Sequence, residues 1–293
     1  MTISNPIVII SAARSGTKML RYILDASSDI ASCQYDANYI WKYGNYNVKH
    51  DEVVPSSIDD KQREKIRSFF YNICVMENKS RLLEKSVPNS LRIPFVLSVF
   101  PDCKIIHLYR NGLDVAADSR LCWQASAVSE DIQSNKDRIR KIKEFPIAMA
   151  WPYLLEYCLN YGKKLLFNHD HVSSWGPRYD GIDKDVKEKS LIEACAIQWK
   201  KCVEHCCDEL EKLEKGEHYI NIPYEKMTYE PEKYINKILD FIKISDGHKV
   251  LKRAKATITP KFVGFGDKTL DEYEIEKVKS IVSDTQHRIQ NLE

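Results

Sequence analysis

Four consecutive β-branched residues, Ile7-Val8-Ile9-Ile10, run through the small, polar stretch Ser11-Ala12-Ala13-Arg14-Ser15-Gly16 into an amphipathic segment that opens Thr17-Lys18-Met19-Leu20 and reaches about residue 26. No other stretch restricts the fold as much. A continuous apolar run reads as a strand buried on both faces, which belongs in a parallel sheet. A helix that starts straight after a tight turn leaves backbone N–H groups unpaired at its positive end, and they converge on a point that attracts an anion. Arg14 and Lys18 add two cationic donors at the rim of that point. The ATPase pattern Gly-x-x-x-x-Gly-Lys-Ser/Thr is not met, because it needs glycine at Ser11 and lysine at Thr17, whereas the order here is Gly-Thr-Lys.

The rest of the chain continues the alternation. A short second strand and its exit lie in 27–36, and 38–55 is a long aperiodic stretch rich in aromatics, Asn and Gly. That stretch is either a lid over a site or an irregular flap packed by its own Trp41 and tyrosines. The spacing of Ile66, Phe69, Phe70, Ile73 and Cys74 predicts a covering helix over 59–77. Strands are expected at 81–85 and 103–109, with a helix over 91–100 between them and another over 113–123 after the turn Arg110-Asn111-Gly112. Residues 126–140 read as a mobile loop or a solvated helix, and helices are expected over 145–161, 187–214 and 231–242. A polar, turn-rich loop covers 169–179, a late strand 218–224 and a glycine-hinged loop 261–268, and a charged helix closes the chain. The fold class that follows is α/β: one domain over 1–293, with a central parallel β-sheet flanked by helices on both faces.

Composition narrows the function classes. Forty-four Lys and Arg against 42 Asp and Glu leave a formal charge of +2, so no broad basic face is available for nucleic acid. Nine cysteines, irregularly spaced and without a Cys-x-x-Cys pair, read as free thiols of a reducing compartment. Cys202, Cys206 and Cys207 beside His205 supply at most two ligands from one helix face, so no metal is expected. There is no apolar run of membrane-spanning length and no apolar leader, which predicts a cytoplasmic protein with no membrane partner.

Four segments, in order, resemble the sulfotransferases that use 3′-phosphoadenosine 5′-phosphosulfate (PAPS). The opening loop is similar to that family's phosphosulfate loop, roughly Pro-Arg/Lys-Ser-Gly-Thr-Thr, with Ala13 in place of the proline and Lys18 in place of the second threonine. Residues 105–117, IIHLYRNGLDVAA, look like its 3′-phosphate element, in which Arg110 ends a strand and a helix follows. Glu84-Lys85-Ser86-Val87-Pro88-Asn89 is similar to the strand end that points a lysine at the phosphosulfate bridge. Asn221-Ile222-Pro223-Tyr224-Glu225-Lys226-Met227 resembles the element that lays a tyrosine near adenine. Gly264 and Lys268 would belong to the loop covering the 3′ end. One departure stands out: the family's serine eight residues after the arginine is Asp118 here, with Ser119 one step on.

The resemblance implies a P-loop-like sulfotransferase fold and transfer of a sulfuryl group from PAPS to a hydroxyl, or an amine, of a small-molecule natural product or sugar, leaving adenosine 3′,5′-bisphosphate (PAP). It assigns Arg14, Ser15, Gly16, Thr17, Lys18, Arg110, Ser119, Tyr224, Gly264 and Lys268 to the nucleotide. Arg14 and Lys85 become catalytic cations. Asp36, in a Cys33-Gln34-Tyr35-Asp36 stretch similar to Cys-Gly-Glu-Glu of protein-tyrosine sulfotransferases, becomes the acceptor base, with His50 as the other choice. The segment 37–58 becomes the lid or acceptor segment, and His107 is expected to be hydrogen-bonded inside the sheet. Two other readings stay open: an ATP-dependent small-molecule kinase, and a nucleotide-binding module without catalysis.

Overall fold

The computed structural model describes residues 5–128 and 175–292. Five strands, β1 (Ile7–Ile10), β2 (Ile30–Ser32), β3 (Arg81–Glu84), β4 (Lys104–Tyr109) and β5 (Tyr219–Pro223), form one wholly parallel sheet in the order β2-β3-β1-β4-β5. β1 is central. Ile7 to Ile10 pair with Lys104 to His107 on one side, and Ile7 and Val8 pair with Leu83 and Glu84 on the other. Its residues alternate between faces: Ile7 and Ile9 join one apolar cluster, Val8 and Ile10 another. Two buried faces account for the unbroken hydrophobic run.

Helices cover both faces. On the Ile7/Ile9 side lie α1 (Thr17–Leu24), α8 (Tyr224–Tyr229), α9 (Pro231–Ile242) and α10 (Gly247–Thr257), packed through Leu20, Ile23, Ile235, Ile238 and Val250. The Val8/Ile10 side carries α2 (Asn38–Trp41), α3 (Asp60–Glu77) and α4 (Ile93–Val99). A further layer joins α5 (Gly112–Val128), α6 (Ile182–Glu188), α7 (Leu191–Leu210) and α12 (Glu272–Asn291) around Trp123, Trp199, Val203 and Val282. The short α11 (Phe265–Thr269) packs against α5, where the backbone of Leu113 would lie 2.9 Å from a Cβ on Gly266.

Helix α3 shows how local signals fix an element. Asp59 accepts from the backbone N of Gln62 while Gln62 accepts from the backbone N of Asp59, a closed capping box, and Asn78 ends the helix in the left-handed region. The five residues expected on its inner face are the five that are buried. The helix expected over 187–214 is α7, which starts at a Ser190–Glu193 capping box and runs Leu191–Leu210; the separate α6, ending just before it, was not expected. Helix α10 was not expected; its buried stripe is only Val250 and Ala254 among lysines and arginines. The 145–161 helix, the 169–174 part of the polar loop and 129–140 lie outside the described residues.

Part of the 37–58 segment belongs to the core. Ile40 and Trp41 are fully buried, and the Trp41 ring meets Phe70, Phe95 and Phe100 with centroids 5.2 to 6.4 Å apart. Burial pushes the thiols of Cys103, Cys195, Cys202 and Cys207 up to about 12, so they act as small apolar groups. No described helix is long and apolar enough to cross a membrane.

Candidate active site

The expected site residues gather at the carboxyl ends of β2, β3, β1, β4 and β5, where an open parallel sheet leaves a crevice. After β1 the chain turns sharply: Arg14 has φ 63° and Gly16, the residue before α1, has φ 91°. A Cβ on Gly16 would lie 2.8 Å from the ring of Tyr224. Glycine therefore serves twice, permitting the left-handed backbone and letting the tyrosine after β5 lie directly on the loop. Thr17 is buried, Lys18 is exposed on the first turn of α1, and Ser15 Oγ is buried with no hydrogen-bond partner among the described residues.

Arg110, at the exit of β4, is 2% exposed and heavily bonded. Its Nη1 donates to the carbonyl of Arg14 at 2.8 Å and to Asp118 Oδ2 at 3.0 Å, and its Nη2 donates to the carbonyl of Phe262 at 2.7 Å. Its guanidinium carbon sits 5.0 Å from the Tyr224 ring centroid, a cation–π contact. Only Nε has no partner. Arg14 reaches the same carboxylate, with Nε and Nη2 both 2.9 Å from Asp118 Oδ1. The helix thus presents Asp118 to both arginines; Ser119, the residue expected there, lies one step on and is buried. Trp199 Nε1 donates to the carbonyl of Arg110 at 3.1 Å, supporting the turn from behind.

The start of α5 is fully wired. Asn111 Oδ1 accepts from the backbone N of Leu113 at 2.9 Å, and Glu225 accepts from the backbone N of Asn111 at 2.9 Å. Burial raises the Glu225 carboxyl, with the Asn111 N–H opposing that shift. Asp114 accepts from Gly264 N at 2.9 Å and Gly266 N at 2.8 Å, pinning the glycine loop to α5, and Lys268 Nζ donates to the carbonyl of Val263 within that loop. A cavity of about 480 Å³ opens beside this junction, between Asn111, Asp114 and Glu225 on one wall and Lys279 and Gln286 of α12 on the other. It lies next to the arginine pair rather than on it.

On the other side of β1, Lys85 follows β3 and is 2% exposed, with its ammonium paired to Asp36 from the exit of β2. The cation and the base expected from the sequence are therefore in contact. Beneath them Glu84 is fully buried and accepts from Ser86 Oγ at 2.5 Å and Asn89 Nδ2 at 2.7 Å. Burial raises its carboxyl above the ordinary range. The chain of bonds continues from Asn89 through Arg92 to Asn38, from Asn38 to Asp51, and from Asp51 to the backbone of Arg178. This buried network ties the strand end to the 37–58 segment. His50 is half-buried, and among the described residues no hydrogen bond or ion pair links it to Asp36 or Lys85. His107 lies in the sheet as expected, 2.9 Å from Asn221 Oδ1, and burial lowers its imidazole to about 4.

Two groups escaped the reading of the sequence. Asp114 as the clamp of the glycine loop had a signal, an acid in the first turn of a helix, but its partner lies 150 residues away. Trp199 stood only as one apolar position of a long helix. Among the described residues no three His, Cys, Asp or Glu side chains converge as metal ligands.

Residues 6–145 match the model of the sulfotransferase family. No curated protein sequence matches the chain. Among solved structures, the fold is similar to the sulfotransferase domain from the curacin biosynthetic pathway, at a TM-score of 0.56 and 13% identity over 97% of this chain and 99% of that one. It is similar to a sulfotransferase from Mycobacterium avium, at 0.53 and 10% identity over 97% and 76%. A sulfotransferase from Alicyclobacillus acidocaldarius matches at 0.50 and 14% identity over 99% and 96%.

Proposed function

We propose, from the premise that this chain belongs to the sulfotransferase family, that it moves a sulfuryl group from PAPS to a hydroxyl, or an amine, of a small-molecule natural product or sugar in the cytoplasm. The observation that carries this reading is that Arg14, Lys85 and Arg110 follow the same ends of three adjacent strands, with Arg110 bonded to the Arg14 backbone and Asp36 on the lysine. The local chemistry fits a phosphosulfate: Gly16 gives the loop its left-handed turn beneath Tyr224, and Ser15 Oγ and Arg110 Nε are buried polar atoms still lacking a partner among the described residues.

When bound, PAPS supplies a sulfuryl group activated by a phosphate leaving group. The loop amides of Ser15, Gly16 and Thr17, with Arg14 and Lys18, hold the 5′ end, because a helix N-terminus and charge-assisted donors favour anions there. Arg110 holds the 3′-phosphate, Tyr224 gives adenine an aromatic wall, and Gly264 and Lys268 cover that end. Lys85 places a preorganised ammonium where negative charge develops on the departing oxygen. Asp36 takes the acceptor's proton, and the ion pair with Lys85 keeps its carboxylate aimed into the crevice. The 37–58 segment forms the acceptor side, braced by Asn38 and Asp51.

A ligand at about 100 times its Kd stabilises the fold by about 2.7 kcal/mol, which thermal denaturation resolves. PAP is expected to raise Tm clearly more than AMP or ATP with magnesium, and labelled sulfate from PAPS is expected to appear in a panel of hydroxylated and amino metabolites. Stabilisation by ATP with magnesium alone, together with phosphate transfer, would overturn the reading.

A further inference from the structure

We infer that Asp118 occupies the 3′-phosphate site of its own chain and thereby sets how tightly, and how selectively, a bisphosphorylated nucleotide binds. The inference rests on the reading that Arg110 faces that phosphate. Asp118 spans the two arginines, one oxygen on each: Oδ1 is 2.9 Å from Arg14 and Oδ2 is 3.0 Å from Arg110. Its side chain is only 9% exposed. The cluster is also electrically full. Two guanidinium groups face Asp118 and Asp114, whose Oδ2 lies 3.9 Å from Arg110, so their formal charges cancel.

A phosphate arriving at Arg110 meets a carboxylate already bonded to the guanidinium. It must turn the Asp118 carboxylate away from the guanidinium or sit against it, and either course weakens binding. The backbone under Asp118 does not yield easily, because the bonds of Asn111 N to Glu225, of Gly264 N to Asp114 and of Trp199 to the carbonyl of Arg110 fix the start of α5 to three other parts of the chain. A nucleotide with a free 3′-hydroxyl meets no such repulsion. Wild-type protein should therefore prefer PAP over AMP by less than a chain with a neutral residue at 118, and removing that negative charge should widen the preference.

The test is calorimetric titration of PAP and of AMP into the full chain as wild type, Asp118→Ser and Asp118→Asn. The asparagine variant keeps the shape and one acceptor for the arginines, so it guards against loss of folding in the serine variant, and a cooperative thermal melt checks each. Both variants are expected to bind PAP at least about tenfold more tightly, the scale of one like-charge contact, with AMP changed by less than about threefold. Unchanged or weaker PAP binding in folded variants overturns the role of Asp118 while leaving the nucleotide site standing. If wild type and variants bind neither nucleotide, the sulfotransferase reading of the site falls, and this inference with it.

Discussion

Each flank of the crevice holds a nearly inaccessible cation against a carboxylate, yet the two pairs are built differently. On the β2/β3 flank Lys85 meets Asp36 at a strand exit, and 39% of the Asp36 side chain faces solvent. On the β4 flank Arg110 meets Asp118 on a helix, and that carboxylate is also gripped by Arg14. Parting either pair leaves a buried cation without its carboxylate, at about 3–5 kcal/mol, but on the lysine flank the parted Asp36 already faces solvent. The two flanks thus differ in their carboxylates more than in their cations: Asp36 is open to solvent and held by one lysine, whereas Asp118 is enclosed and held by two arginines. In the proposed reaction the first would meet the acceptor and the second the nucleotide.

Four substitutions would break or sharpen that contrast. Lys85→Met should lower kcat/KM for sulfuryl transfer by about 10²–10³, as loss of one preorganised donor does, with PAP affinity nearly unchanged. Asp36→Asn should cost about 10² in kcat while the protein still binds PAP, and retention of wild-type turnover would move the base elsewhere, His50 being the next to test. Gly16→Ala should act on the arginine flank instead: its φ of 91° and the 2.8 Å approach to Tyr224 predict about 1–3 kcal/mol of destabilisation in denaturant titrations.

The smallest effect is a pH slope under β4. His107 has a folded value of about 4 against an ordinary 6.5. Its contribution to stability is therefore present above 6.5 and lost as pH falls toward 4, at no more than about 1.4 kcal/mol per unit. The raised carboxyls of Glu84 and Glu225 work in the opposite sense, since the folded state holds their protons longer. Comparing unfolding free energies of wild type and His107→Asn at pH 7 and 5 isolates the histidine: the variant should lose less stability on acidification.

Much of this frame could be read from the chain because its signals are local. The apolar runs at 7–10 and 104–109, the inner face of α3 and the Ser-Gly-Thr turn each depend on a few neighbouring residues. What stayed hidden depends on long-range pairing. Asp118 was visible as an acid in an unexpected place, but a sequence does not show that two arginines, 104 and 8 residues away, close on it. The same holds for 37–58, whose aromatic content suggested a cover. Trp41 is core because α3 brings Phe70 to it, and α4 with its C-cap brings Phe95 and Phe100.

The hydrogen bond from Trp199 to the carbonyl of Arg110 has a practical consequence. A buried indole whose N–H is committed to the backbone of the site's central arginine is an intrinsic optical gauge of that turn. Any adjustment of Arg110 on nucleotide entry alters the field and the bond at Nε1, and so the colour and yield of the emission. Stopped-flow fluorescence would carry that signal, without a label, on top of the emission of the other four tryptophans, and the part lost in Trp199→Phe is the part that reports the arginine flank.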